Sequence, residues 1–77
     1  MIDLKLGRYR HCKGKEYEVI AVARDCDNPQ KKIVIYEALY ACEEFPYGQV
    51  WTRSLEDFIG FKNVDGKQVK RFTLMEE

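Results

Sequence analysis

Short β-prone runs, each cut off by a glycine, an Asn-Pro or an Asp-Gly, leave this chain few ways to fold other than as a small antiparallel sheet. Residues 8–11 precede Lys13-Gly14-Lys15, a polar, glycine-centred break, and the run from Glu16 to Arg24 follows. On strict alternation Tyr17, Val19, Ala21 and Ala23 share one face of that run, with Glu18, Ile20, Val22 and Arg24 on the other. Its middle is apolar on both faces, as in a strand covered on both sides or bent through a barrel wall. Residues 25–31 contain Asn28-Pro29 and read as a loop, because proline has no N–H to give to a ladder. Lys32 to Tyr40 is rich in β-branched and aromatic residues and reads as the antiparallel partner of the preceding strand. A loop at residues 41–48, with Pro46 and Gly48, leads into a short strand at 49–53.

The period then changes. Ser54 is placed to cap a first turn with Asp57 three residues on, Leu55, Phe58 and Ile59 fall on one helical face, and Gly60 suits the stop. Residues 54–60 are therefore expected to form one or two turns of helix that plug apolar side chains into the sheet. Strands at 61–64 and 68–74 follow, joined by Asp65-Gly66, a strong hairpin signal. Five to six short strands with a single brief helix need their edges protected. The expected fold is thus mainly β, either a small SH3-like barrel or a strongly bent antiparallel sheet. No repeat, linker or low-complexity stretch divides residues 1–77, which read as one domain.

At 77 residues the core is thin and a deep enclosed pocket is not expected, so a site should lie near the surface. Thirteen basic residues balance thirteen acidic ones, which argues against nucleic-acid binding by overall charge. The balance is uneven along the chain. Residues 1–24 carry six basic and three acidic side chains, residues 25–60 three and seven, and residues 61–77 four and three. Met1 to Leu6 has neither the apolar run nor the cleavage site of a secretory leader, and no stretch has the roughly 20 apolar residues needed to span a bilayer. A cytoplasmic chain is expected.

Catalytic and metal signals are weak. Cys12, Cys26 and Cys42 are odd in number and lack a CxxC pair or neighbouring ligands at zinc spacing, so they read as reduced thiols, with no metal and no cofactor expected. His11 and Cys12 are adjacent, and adjacent strand residues point to opposite faces, which places them poorly as a nucleophile and its base. Glu43-Glu44 and Glu56-Asp57 are explained by loop solvation and helix capping. There is no Gly-rich phosphate loop and no GxSxG. The chain is not expected to be an enzyme.

The aromatic set is more informative. Ten aromatics include five tyrosines, whose hydroxyls favour a wet or hydrogen-bonded edge. Tyr9 and His11 share one strand face, Tyr36 and Tyr40 another, and Trp51 and Arg53 a third. Converging, these six residues would make an aromatic groove with a cationic rim, equipment suited to an extended peptide or a stacked base. The plainer alternative is that Trp51, Tyr36 and Tyr17 simply fill the core. Two functional readings follow: a non-catalytic module that binds a peptide or protein through the groove, and a single-stranded RNA or DNA binder using the same aromatics with Arg8, Arg10, Lys13 and Lys15. Neither needs a membrane, and oligomeric state is left open.

Tyr9-Arg10-His11 with Lys13-Gly14, Tyr17-Glu18-Val19, Val34-Ile35-Tyr36 with Leu39-Tyr40, and Val50-Trp51 with Arg53, Leu55 and Phe58 together resemble a family of short bacterial domains of unknown function. Its consensus runs near YRHxKGxxYEV, VVYxxLY and WxRPLxxF, and the resemblance covers residues 7–73. It implies a β-rich fold and a bacterial source, and no activity. The chain departs from that pattern at Asp25, where the family tends to have histidine, and at Ser54, in place of proline. The first weakens a two-histidine site; the second exchanges one helix-starting residue for another.

Overall fold

The computed structural model describes residues 4–75; Met1 to Asp3, where the stretch read for a leader begins, and Glu76 to Glu77 lie outside them. Among the described residues the elements are β1 (Gly7–His11), β2 (Glu16–Arg24), β3 (Lys32–Ala38), β4 (Val50–Ser54), α1 (Leu55–Phe58), β5 (Phe61–Val64), β6 (Lys67–Lys70) and β7 (Phe72–Leu74). Five strands form one antiparallel sheet in the order β4-β3-β2-β1-β7, and β5 pairs with β6 in a separate two-stranded ribbon. The mainly β expectation holds as an open antiparallel sheet, with seven strands among the described residues where five to six were expected. The barrel is not formed, because edge strands β4 and β7 do not pair with each other.

Several strand boundaries shift by one residue, and two differ by more. The run read as a strand from 68 to 74 breaks at Arg71: β6 closes the ribbon, while β7 crosses to the free edge of β1, setting His11 opposite Phe72 and Tyr9 opposite Leu74. β3 ends at Ala38 rather than Tyr40, and Leu39 N–H makes a last bond to the Glu16 carbonyl. A bulge between Val19 and Ala21 also shifts the phase of β2. Val19 lies opposite Tyr36, but beyond the bulge Val22, not Ala21, lies opposite Val34. Directly paired residues share a face, so past the bulge Val22 rather than Ala21 falls in register with Val34, although Val22 itself stays exposed while Ala21 and Ala23 are half-buried.

The inner face and α1 make the core. Tyr9, Val19, Val34, Tyr36, Phe58 and Phe72 are buried together, with Leu4, Tyr17, Trp51, Leu55, Ile59 and Leu74 packed against them. The helix is only four residues long, so its own hydrogen bonds do little and its anchoring is tertiary. Ser54 Oγ accepts from Asp57 N–H as expected of a cap, and Glu56 and Asp57 occupy the first turn. Phe58 is the plug, stacked on Phe72 with ring centres 4.1 Å apart and planes 5° from parallel, and edge-on to Tyr9 and Tyr36.

In the ribbon turn, Asp65 and Gly66 have φ of +52° and +81°, the left-handed pair of a tight hairpin. Asp tolerates that region and glycine adopts it freely. Gly66→Ala meets no steric neighbour but is strained in backbone. It should cost about 1 kcal/mol, read as a lowered urea midpoint at unchanged slope.

Candidate functional site

Polar aromatics gather at one end of the core, where His11, Tyr40, Arg53 and the Tyr36 hydroxyl meet. Tyr40, freed where β3 ends, shares a 2.6 Å hydrogen bond with the Tyr17 hydroxyl. Tyr17 stands edge-on to Tyr36, Tyr40 and Phe72 at 5.4–5.7 Å. His11 packs edge-on to Phe72 at 5.0 Å and to Tyr17 at 6.4 Å. Arg53 Nε donates to the Tyr36 hydroxyl at 3.3 Å, and its guanidinium carbon lies 6.0 Å from the Phe72 ring centre. Lys15 Nζ stands 5.0 Å from the centre of the Tyr40 ring. The result is a mouth of tyrosine hydroxyls, an imidazole and cations over an aromatic floor.

Tyr9, Tyr36 and Trp51 take a smaller part than expected. Tyr9 is 6% exposed, and its hydroxyl donates to the Lys5 carbonyl. Tyr36 is 5% exposed. Both rings belong to the core, so they support the mouth and do not wall an open groove; only the Tyr36 hydroxyl takes part. Trp51 is half-buried, lies opposite Tyr36 across the β3–β4 pairing and packs edge-on against Phe45 at 4.9 Å. The basic set divides as well. Arg8 and Arg10 project from the opposite face of β1, where both approach Glu16, at 4.0 and 3.4 Å. They do not join the aromatics. Lys13 and Lys15, in the turn after β1, stay on the mouth's side.

Sequence reasoning missed Phe72, Lys62 and Arg71, and left Tyr17 to the core. Local pattern carries no signal for them, because they arrive through the β1–β7 pairing and the ribbon ahead of it. It also misplaced His11 and Cys12. Cys12 lies in the turn beyond β1, where strand alternation no longer applies, and its Sγ is 3.6 Å from His11 Nδ1. Lys13 N–H donates to the same Nδ1 at 3.1 Å. With Nδ1 serving as acceptor, this network assigns the proton of the neutral ring to Nε2.

Electrostatically the mouth is one-sided. Burial holds the His11 pKa below its ordinary value, and Lys62, Arg53, Arg71 and Lys13 press it in the same direction. The Tyr17 hydroxyl is pushed up, first by burial and then by its bond to Tyr40, with Arg53 opposing. Among the described residues Arg53 has no carboxylate within salt-bridge distance; the ion pairs found there are those of Arg8 and Arg10 with Glu16. An arginine in such a place, half-buried and steered by a tyrosine hydroxyl, presents its remaining N–H groups as hydrogen-bond donors to an anionic group.

The His11 shift has a measurable consequence. An unfolded histidine titrates near ~6.5, so a lowered folded value means the unfolded chain binds more protons at acid pH. The protein should show no His11-dependent change above about pH 6.5 and lose stability as pH falls through the folded pKa. In urea titrations between pH 7 and 5, His11→Gln should flatten that slope; an unchanged slope would assign the loss to other groups.

Two further features lie apart from the mouth. A cleft of about 730 Å³ opens between the β2–β3 loop and α1, lined by Asn28, Lys31, Lys32, Ser54, Leu55 and Glu56 among others. Its charges are mixed and its walls hold no aromatic, so it offers less directional chemistry than the mouth. Asp25, Cys26 and Asp27 bring potential ligand atoms within 4.8 Å of one another. Asp25 Oδ1 accepts from Asp27 N–H, a turn contact that accounts for the arrangement without a metal. Cys12, Cys26 and Cys42 are free thiols.

Comparison with known proteins follows the same outline. A family model described as "Protein of unknown function (DUF1653)" matches residues 7–74. A crystal structure of a protein belonging to DUF1653 from Bordetella bronchiseptica is similar at a TM-score of 0.79 and 29% identity, covering 95% of this chain and 88% of that one. No curated protein matches.

Proposed function

We propose, from the premise that the chain belongs to the DUF1653 family of unknown function, that it is a non-catalytic binding module for an acidic peptide or protein segment. The mouth formed by His11, Tyr17, Tyr40 and Arg53 is the recognition site. The carrying observation is Arg53: its Nε is committed to the Tyr36 hydroxyl, and no carboxylate among the described residues approaches its guanidinium. A guanidinium's remaining N–H donors suit a carboxylate in bidentate geometry. Tyr17 and Tyr40, both half-buried and edge-on to one another over the buried Phe72, supply the aromatic surface that an extended segment covers.

A peptide is favoured over single-stranded nucleic acid by the division of the basic set. Arg8 and Arg10, half of the expected phosphate contacts, are held by Glu16 on the far face. Selection of a random peptide library on the immobilised protein should enrich Asp- and Glu-containing sequences, and Arg53→Met should lose them. A parallel titration with fluorescent oligonucleotides at low salt distinguishes the two readings. Tight, salt-sensitive oligonucleotide binding with no peptide enrichment would overturn the proposal.

A further inference from the structure

We propose that the cationic notch beside the mouth, where the turn at residues 12–15 meets β5 and Arg71, is a subsite for a dianionic tetrahedral oxyanion, a phosphate monoester carried on the bound segment. This rests on the reading of the mouth as a peptide-binding site and names the group that such a peptide presents next to it.

The backbone assembles the notch from three separate parts of the chain. Cys12 N–H donates to the Arg71 carbonyl at 2.9 Å, and Arg71 N–H donates to the Gly60 carbonyl at 3.0 Å. These bonds clamp the β1–β2 turn, the entry to β5 and the residue before β7 together, which brings Lys13, Lys62 and Arg71 to one place. Arg71 Nε is tied to the Asp57 carbonyl at 3.2 Å, so its guanidinium is partly oriented before any ligand arrives. His11 joins the notch to the mouth, touching Phe72 on one side and Lys13 on the other.

Lys13 and Lys62 crowd each other. The Lys13 ammonium is the main reason that Lys62 gives up its proton more readily than usual, with Arg71 adding to the effect and the Cys12 thiol opposing it. Beside burial, the charges that hold the His11 pKa down are cationic: Lys62, Arg53, Arg71 and Lys13. Clustered like charge is unfavourable in the free protein and is relieved by a bound anion. A carboxylate brings one negative charge. A phosphate monoester brings ~1.5 to 2 at neutral pH and three acceptor oxygens, enough to bridge two ammonium groups and accept from His11 Nε2–H. The groups facing the imidazole are Lys13 and Cys12 from its own turn, Tyr17 from β2, Arg53 from β4, Lys62 from β5, and Arg71 with Phe72 at β7. None of them is a carboxylate.

The test is an NMR titration of the intact chain at pH 7 and matched ionic strength with inorganic phosphate, methyl phosphate and acetate, following the amides of Lys13, Lys62 and Arg71 and the His11 ring. Methyl phosphate should bind saturably and at least tenfold more tightly than acetate, raise the His11 pKa, and lose about tenfold in Lys62→Met. That substitution lies in the ribbon, outside the core, and the spectrum itself reports whether the fold persists. Equal responses to acetate and methyl phosphate, or an undiminished response in Lys62→Met, would overturn the subsite. Binding of inorganic phosphate with methyl phosphate rejected contradicts an ester-borne group. Methyl phosphate binding without any peptide enrichment on the library contradicts the peptide reading while the subsite stands; acidic-peptide binding that is indifferent to Lys62→Met and to phosphate contradicts the subsite alone.

Discussion

Phe58→Ala should lower stability by about 3–5 kcal/mol, the largest effect of any single truncation in this chain. A domain of this length holds roughly 4–12 kcal/mol in total, so the variant is expected to be marginal or unfolded at 37 °C, with a Tm lowered by about 15–30 °C. Phe58 is 1% exposed and is the one fully buried residue that α1 contributes. Its ring lies flat on Phe72 and is edge-on to Tyr9 and Tyr36, so truncation removes a partner from three aromatics on three different strands at once. A four-residue helix cannot shift to refill that volume without giving up its cap. Phe61→Ala is the matched control. Phe61 is 58% exposed on the ribbon, and its truncation should change stability by less than about 0.5 kcal/mol. A loss below about 1.5 kcal/mol for Phe58→Ala would mean that the sheet holds its shape without the plug.

Arg53→Met has the largest expected effect on binding. The methionine keeps most of the stem's packing over Phe72 and removes the charge and every donor. Charge-assisted hydrogen bonds contribute about 1.5–3 kcal/mol each, so affinity for a selected acidic peptide should fall roughly 10- to 100-fold. Stability should change little, because the Arg53–Tyr36 contact is a single side-chain bond at 3.3 Å and the Tyr36 hydroxyl sits at the wet end of the core. Arg53→Lys separates charge from geometry. A lysine retains the charge without the fork, and recovery of less than a third of the lost binding energy would identify the bidentate contact as the source. Recovery of nearly all of it would reduce Arg53 to a source of positive potential.

Much of the architecture was legible from local chemistry. Asp65-Gly66 announced its hairpin because few dipeptides adopt two successive positive φ values, and Ser54 with Asp57 announced the helix because an orphan N–H needs an acceptor. What escaped was non-local. The bulge beside Ile20 leaves no residue signature in Val19-Ile20-Ala21, since any of the three fits a strand, yet it shifts the pairing of every later residue of β2 with β3 by one. The return of β7 to β1 depends on which edge is free after four strands have paired, and that choice delivers Phe72 and Arg71 to His11.

The same distinction explains the candidate site. His11, Tyr36 and Arg53 come together because each lies on the inner side of its own strand, and Tyr40 joins them from just past the end of β3. Tyr9 was grouped with them by the same alternation, and it does share their face, but it lies deeper, under Phe58, where exposure is decided by the helix rather than by the strand. Arg8 and Arg10 were grouped with the aromatics by proximity in sequence alone. Alternation itself placed them on the other face, beside Glu16.

The most direct test follows the Arg53 Nε–H resonance while an acidic peptide selected from the library is titrated into the intact protein. Binding at the mouth should shift Arg53 Nε–H together with the ring signals of His11, Tyr17 and Tyr40, and leave the amides of residues 25–32 in place. Shifts confined to the cleft at residues 28–32 and 54–59, with Arg53 Nε–H unmoved at saturation, would contradict the assignment of the mouth as the recognition site.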